Sequence, residues 1–451
     1  MLSHPDRIRQ VLSSGPAGPR QLIEKIGFSQ PTLSRTLAGM SDEVVRMGAA
    51  RSIQYALRDP ARGLGDIPVH RVAPDGTVRP AGLLIAVRPE GFVLLQADGS
   101  ATHSDSLSWW LLDMRPQGFL GRAYVAQHAT QLGLPQKLSE WRDTDILRAL
   151  TAQGHDAIGH LLLGDLARAR FLEGALPQAV SGIDRGPTYA RLAQAAVLGD
   201  LPGSSAGGEQ PKFTTFAETA QGPRHVLVKF SLPDARGDNP VTRRWRDLLL
   251  AEHHALRTLS DAGVPAARSQ VLEHAGQRFL ELERFDRVGA LGRRGLYSLA
   301  AIEAQWLGDA SAPWPRLVAR LADLGLTDRA SAQKAALLYA FGTLTGNTDM
   351  HNGNLSLTSD SGLPPFTLAP AYDMLPMGFA PRSGGALPDQ LPAPALHASV
   401  DNATWRQAQG LAAQFLENLG GEPRLSAEFS GCLEGLARHL ETAQARIGRL
   451  G

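Results

Sequence analysis

Gly346-Asn347-Thr348-Asp349-Met350-His351-Asn352-Gly353-Asn354, followed shortly by Ala369-Pro370-Ala371-Tyr372-Asp373, decides how this chain is read. An aspartate, an asparagine five positions on, and a second aspartate beyond an apolar stretch are hard oxygen donors. Their spacing suits orienting a hydroxyl and holding magnesium on a nucleotide. The chemistry implied is phosphoryl transfer. Residues 335–344 read as an apolar helix, so Gly346 and Asn347 are expected to turn the chain out into a loop. Leu355-Ser356-Leu357 and Phe366-Thr367-Leu368, around a polar glycine turn, would form a hairpin that returns Asp373 to the same site. Asp349 would orient the acceptor hydroxyl and take its proton. Asn354 and Asp373 would ligate magnesium, which keeps water and phosphate oxygens beside one or two side chains. No second histidine or cysteine stands beside His351 at zinc-ligand spacing, so a loop-bracing or phosphate-side role is expected for it.

Working back from that loop, Phe279-Leu280-Glu281-Leu282-Glu283-Arg284-Phe285-Asp286-Arg287 reads as a strand ending in a turn. Backbone groups of Glu283, Arg284 and Phe285 could meet an adenine edge; otherwise the strand's charges simply face water. His225-Val226-Leu227-Val228-Lys229-Phe230 is a strand with a lysine near its end, placed to reach phosphates. A helical pattern around residues 248–256 supplies Glu252, either as the partner of Lys229 or as a plain surface charge. Ser204-Ser205-Ala206-Gly207-Gly208-Glu209-Gln210-Pro211-Lys212-Phe213 could bring backbone N–H groups close to phosphate oxygens, with Lys212 adding charge. It is not a Walker sequence, and a glycine pair alone is more often an ordinary hairpin turn.

At 451 residues, 43% of them apolar, the chain should fold as two or three globular domains. Its start reaches polar residues at once and no apolar run approaches membrane-spanning length, so a cytoplasmic protein without a membrane partner is expected. The lone cysteine, Cys432, reads as the packed face of a late helix. A formal charge of +1 gives no global nucleic-acid signal, but residues 1–62 carry nine basic side chains against five acidic ones. That segment has the order of a winged helix-turn-helix. Two short helices are broken by Gly15-Pro16 and Gly27, and a third is opened by Ser29. Val44-Val45-Arg46-Met47 and Ile53-Gln54-Tyr55-Ala56-Leu57 make the hairpin. Gln30, Thr32, Ser34 and Arg35 on the third helix, and Arg51 in the hairpin, would meet DNA; the plainer alternative is a module that docks only on protein. Residues 58–63 read as a turn-rich linker. Strands near residues 69–72, 82–87 and 91–95 suggest a small antiparallel sheet, and helical patterns follow through residues 147–150 and His160-Leu161-Leu162-Leu163.

Ser205-x-x-Gly208-x-Gln210-x-Lys212, Glu283-Arg284-Phe285-Asp286-Arg287, Asn347-Thr348-Asp349-x-His351 and Tyr372-Asp373 together resemble the HipA family of bacterial serine/threonine kinase toxins. The winged first segment looks most like the YjjJ branch. The resemblance covers roughly residues 65–440. It implies an α+β, two-lobed protein-kinase-like fold, divided as residues 1–62 (winged helix-turn-helix), 63–185 (small sheet and helices), 186–290 (nucleotide-binding lobe) and 291–451 (mainly helical lobe). It implies ATP and Mg2+ as cofactors and phosphorylation of a protein serine or threonine. Asp349 carries over as the catalytic aspartate, and Asn354 and Asp373 as magnesium ligands. Gly207, Gly208, Gln210, Lys212, Lys229, Glu252, Glu283, Arg284, Phe285, His351 and Tyr372 join them around the nucleotide. Ser205 matches a glycine-loop serine whose autophosphorylation switches such kinases off. Aminoacyl-tRNA synthetases are among known family targets, and a HipB-like antitoxin is a possible partner. Two departures stand out. Met350 and Asn352-Gly353 replace other small or basic residues, and the fused first segment takes the place of a separate antitoxin's operator-binding role. Two further readings stay open, a DNA-binding regulator whose kinase-like body only senses nucleotide, and a small-molecule phosphotransferase.

Overall fold

The computed structural model describes residues 2–49, 52–198, 210–234 and 236–449. Three short helices open the chain, His4–Leu12, Pro19–Ile26 and Gln30–Ala38. Their ends are set by local chemistry. Ser3 and Asp6 form a reciprocal capping box, Gly27 closes the second helix at φ 77°, and the Ser29 hydroxyl accepts the Thr32 amide at 3.4 Å. Ile8, Leu12, Leu22, Ile26, Leu33 and Leu37 meet between the helices, joined by Val44 and Leu57 from the antiparallel hairpin Val44–Met47/Gln54–Leu57. The hairpin's other face, Val45, Met47 and Ala56, packs on Ile85, Val87 and Val93 of the next sheet. Residues 58–63 are therefore no loose tether. Arg62 donates to the carbonyls of Val87 (2.7 Å) and Gly91 (3.0 Å), and Arg88 N–H donates to the Leu57 carbonyl.

That next sheet is five-stranded and antiparallel, in the order Ala101–Ser104, Phe92–Gln96, Val78–Ala86, Ile67–Val72, Leu161–Leu163. The last strand corrects the helix expected at residues 160–163. A short run of buried leucines carries no helical period, and Gly159 and Gly164, both at φ 79°, bracket it with turns. Helices Gly118–Leu132, Asp143–Gln153 and Gly164–Glu173 accompany this sheet.

A second antiparallel sheet follows, ordered Ser269–His274, Gln277–Glu283, Gly222–Phe230, Lys212–Thr219. Against it lies the 22-residue helix Pro240–Asp261, capped by Asn239, which accepts the amides of Val241 and Thr242. Its buried face carries Leu248, Leu249, Ala255, Leu256 and Leu259 into the largest core of the molecule. That core continues through helices Leu299–Trp306, Trp314–Asp323, Arg329–Leu344, Asn402–Gly420 and Ser430–Ile447. Cys432 is fully buried on the last helix, as expected. The hairpin Ser356–Ser359/Thr367–Leu368 joins Gly295–Ser298 in a small third sheet. A largely irregular strap, residues 376–401, is pinned through its carbonyls. Arg244 donates to Phe379 (2.9 Å) and Pro388 (2.6 Å), and Arg446 to Pro394 (2.7 Å). The whole is α+β, with a sheet-bearing half and a helical half facing each other across one cleft. No helix of the described residues is long and apolar enough to cross a membrane.

Candidate active site

Lys229 lies one position from the end of the strand Gly222–Phe230, and the antiparallel register sets Lys212 directly opposite it. Residues paired this way share a face, so two ammonium groups point into the cleft. Like charges in that relation repel unless carboxylates or a bound anion sit with them. Glu252, fully buried on the helix Pro240–Asp261, takes Lys229 Nζ on both oxygens at 2.7 Å, and the Asp373 carboxylate contacts the same ammonium from the opposite wall. Glu252 is thus no surface charge. Arg244, Leu248 and Glu252 follow at four-residue intervals on one helix face, all buried. Burial works against the Lys229 charge, but Asp373 and Glu252 outweigh it and hold the ammonium above its ordinary range. Burial likewise opposes Asp373, and the Lys229 and Lys212 charges overcome it, keeping that carboxyl below its ordinary range.

Facing this wall is the loop after helix Arg329–Leu344. Gly346 adopts φ 75°, the left-handed turn expected of it. Asn347, 5% exposed, then ties the two aspartates together. Its Nδ2 donates to the Asp373 carbonyl at 3.1 Å, and its Oδ1 accepts the Asp349 amide at 3.0 Å. Sequence reasoning gave Asn347 only a turning role and missed this one, although its place two residues before Asp349 suits an Asx turn. Asn354 Nδ2 donates to the Asp349 carbonyl at 2.7 Å and lies 3.4 Å from Oδ2. His351 has contacts within the loop and beyond it. Its Nδ1 accepts the Gly353 amide at 3.0 Å, while its carbonyl accepts Trp314 Nε1–H at 3.2 Å. Tyr372 donates to the Gly353 carbonyl at 3.0 Å. Asp373 itself sits at φ 52°, a conformation costing a non-glycine residue about 1 kcal/mol and kept where surroundings dictate it. Asp349, its side chain 52% exposed, is held beside this wall by Asn347 and Asn354 and is not itself among the residues lining the cavity between the walls.

Between these walls is a cavity of about 420 Å3. Lys212, Lys229, Glu283, Arg284, Phe285, His351, Asn354, Tyr372 and Asp373 all line it, with Leu227, Ala267 and Leu282 supplying apolar surface. The Phe285 and Tyr372 rings lie 5.8 Å apart across it. Glu252 stands behind Lys229, outside the lining. Of the 283–285 backbone, the Glu283 amide donates to Arg268 and the Arg284 amide to His225, both at 2.9 Å. The charges that follow do not face water. Arg284 and Arg287 grip Asp286 at 2.9 and 2.6 Å, Arg287 reaches Asp156 at 2.9 Å, and Asp286 accepts the Gly159 amide at 3.1 Å. Burial opposes Asp156, but the Arg284 and Arg287 charges bring its carboxyl down to about 2.

This network bolts the five-stranded unit to the cleft. That unit also contributes a third wall, Leu112, Asp113, Arg115, Gln117 and Ile158, which sequence reasoning did not find. Asp113 accepts the Ser298 amide at 2.6 Å, and burial pushes its carboxyl up.

Ser205, Gly207, Gly208 and Arg51 lie outside the described residues. Gln210 is not among the residues lining the cavity, and its Nε2 is buried without a hydrogen-bond partner. Gln30, Ser34 and Arg35 are exposed on the third helix and Thr32 is half-buried, in a unit separate from the cleft. Among the described residues no cluster of three histidine, cysteine or acidic side chains could hold a metal alone. Two oxygen donors on one cavity wall, Asn354 and Asp373, fit magnesium in the company of phosphate and water.

Comparison with known proteins identifies the family and the fold. Residues 64–172 match the model of a YjjJ-like toxin middle domain, and residues 204–441 that of a HipA-like C-terminal domain. Toxin YjjJ of Escherichia coli (strain K12) is 37% identical over 446 residues, covering 98% of this chain and 99% of that protein. Among solved structures, the HipA–HipB toxin–antitoxin system of Shewanella oneidensis MR-1 with its operator DNA superposes at a TM-score of 0.54, with 16% identity. That match covers 85% of this chain and 97% of the other, a likeness of fold. The Helicobacter pylori proinflammatory kinase CtkA matches 54% of this chain and 93% of its own at 0.37 and 14% identity, too distant to build on. The chain belongs to the HipA family, as a kinase-fold toxin of its YjjJ-like branch.

Proposed function

We propose that this chain transfers the γ-phosphoryl group of ATP to a serine or threonine of a cellular protein. The observation that carries the reading is the meeting of Glu252 and Asp373 on Lys229 at the cavity that Asn354 also lines, with Asp349 hydrogen-bonded to Asn354. Adenine would sit by Phe285, bonded by the carbonyls of residues 283–285 and the Phe285 amide. Lys229, held extended by Glu252, would take the α- and β-phosphates, with Lys212 beside it. Asn354 and Asp373 would hold magnesium, which when bound neutralises charge on the β- and γ-phosphates. Asp373 would then exchange its contact with Lys229 for the metal. Asp349, fixed through its amide by Asn347, would orient the acceptor hydroxyl and accept its proton as the phosphoryl group leaves ADP.

Regulation follows the same chemistry. Phosphate on Ser205 would put charge where the ATP phosphates must bind, and so switch the enzyme off. Gln30, Thr32, Ser34, Arg35 and Arg51 would form a DNA-contacting face, with Gly207, Gly208 and Gln210 completing the phosphate loop. A HipB-like antitoxin is a candidate partner, since the solved Shewanella HipA is found with HipB and operator DNA. The alternative of a nucleotide-sensing regulator needs no hydroxyl-orienting aspartate, so the braced Asp349 favours the enzyme.

Incubating the purified chain with labelled ATP, magnesium and cell lysate should label serine or threonine of a discrete protein. Nucleotide binding with no transfer to any protein would leave the sensor reading instead.

A further inference from the structure

Across the Asp349 loop from the nucleotide cavity lies a second, more open hollow of about 550 Å3. Ala300, His351 and Gly353 border both, so the two spaces are neighbours separated only by the loop that carries Asp349. The far wall is the turn of residues 310–313, with Tyr339 and His397 meeting edge-on at 6.4 Å and 83°. The shape is braced, because Asn352 Nδ2 donates to the Ala310 carbonyl at 3.0 Å and Trp314 Nε1 to that of His351 at 3.2 Å.

Glu303 also lines this hollow and is only 4% exposed. No lysine, arginine or aspartate shares the lining with it. One Glu303 oxygen accepts the Asp309 amide, and the carboxylate has no ion pair among the described residues. Arg320 and Arg316 pair instead with the carboxylate of Asp309, the residue whose amide Glu303 accepts, at 3.2 and 3.6 Å. A carboxylate buried beside a reaction site without a cation of its own is costly, and that cost is relieved when a ligand brings one.

We propose that this hollow seats the acceptor segment of the protein substrate, and that Glu303 selects a lysine or arginine flanking the phosphorylated serine or threonine. The proposal rests on the kinase reading above and adds the chemistry of the substrate. Residues 350–353, which follow Asp349 directly, line the hollow, so an acceptor lying here brings its hydroxyl to the loop that borders the nucleotide cavity. The cationic neighbour reaches the buried carboxylate and fixes the register of the peptide.

The test is a positional-scanning library of serine-centred peptides, varied one flanking position at a time through basic, neutral and acidic residues. It is assayed with the full chain and with Glu303→Gln, whose amide oxygen can still accept the Asp309 N–H. The wild type should prefer lysine or arginine at one fixed position by roughly tenfold in kcat/KM, mainly through KM, as a charge-assisted bond implies. In Glu303→Gln that preference should fall towards unity, with an unchanged melting temperature reporting an intact fold. Indifference of the wild type to flanking charge, or a basic preference retained in Glu303→Gln, overturns the proposal while the kinase reading stands. Failure of the wild type to phosphorylate any peptide or any lysate protein overturns both.

Discussion

The two sides of the cleft hold their charges on opposite terms. On the nucleotide side, Lys229 and Glu252 are 4% and 0% exposed and bonded to each other, with Asp373 completing the set. On the acceptor side, Asp349 and His351 are 52% and 61% exposed, and their fixed contacts run through the backbone of the loop. In the proposed reaction the phosphates and magnesium are small and invariant, so a paired socket for them could be built in advance. The acceptor proposed above belongs to another protein, which would supply its own burial, so the aspartate proposed to meet it can stand in water until then.

Substitution should separate the two sides. Lys229→Met strands Glu252 as an unpaired buried carboxylate and should cost about 3–5 kcal/mol of stability, read in denaturant melts, besides abolishing transfer. Asp349→Asn should lower transfer by about 10²–10⁴, yet leave stability within roughly 0.5 kcal/mol, since its side chain is exposed and its brace uses the backbone amide. Comparable destabilisation by both would erase the distinction.

Arg244 offers a sharper variant of the same comparison. It sits two turns before Glu252 and holds the strap beyond Asp373 through the Phe379 and Pro388 carbonyls. Arg244→Ala should cost about 1.5–3 kcal/mol and speed amide exchange in residues 376–401. Exchange unchanged there would mean the strap does not depend on that helix.

Acid should weaken the buried sheet side. Burial pushes the His225 imidazole, whose Nε2 lies 2.8 Å from the Ala290 carbonyl, down to about 4, against 6.5 for an ordinary histidine. The folded state keeps it neutral while the unfolded chain gains a proton below pH 6.5. Its stabilising contribution is therefore complete above that pH and declines as pH falls towards 4, by up to about 1.4 kcal/mol per unit. Melts of His225→Asn between pH 7 and 4 should show a shallower acid slope than the wild type; equal slopes would assign the loss elsewhere. The smallest effect is expected at the first unit, where Arg35→Ala should weaken DNA binding and reduce its salt dependence by about one charge. An unchanged slope would favour protein docking.

How far the sequence could be read follows the same division. The spacing of Asp349 and Asn354 and the hairpin leading back to Asp373 are local features that a sequence can carry, and Lys229 stands near a strand end, whereas Glu252 read equally well as a surface charge until its pairing with Lys229 was seen. The third wall was not. Asp113 reaches Ser298 across 185 positions and Gly159 reaches Asp286 across 127, and no local period encodes such pairings. Similar distance hid the Asp156–Arg287 network, since Arg284, Asp286 and Arg287 look like solvent-facing charges at the end of a strand and Asp156 lies 131 positions from Arg287. Leu161–Leu163 failed for a different reason, being too short an apolar run for helix and strand to be told apart without its flanking glycines.

The most direct test of the account is phosphoryl transfer from labelled ATP by the wild type and by Asp349→Asn at equal nucleotide occupancy. The account expects incorporation into protein by the wild type and a fall of at least about 10² in the variant with ATP still bound. Transfer by Asp349→Asn at the wild-type rate would contradict it.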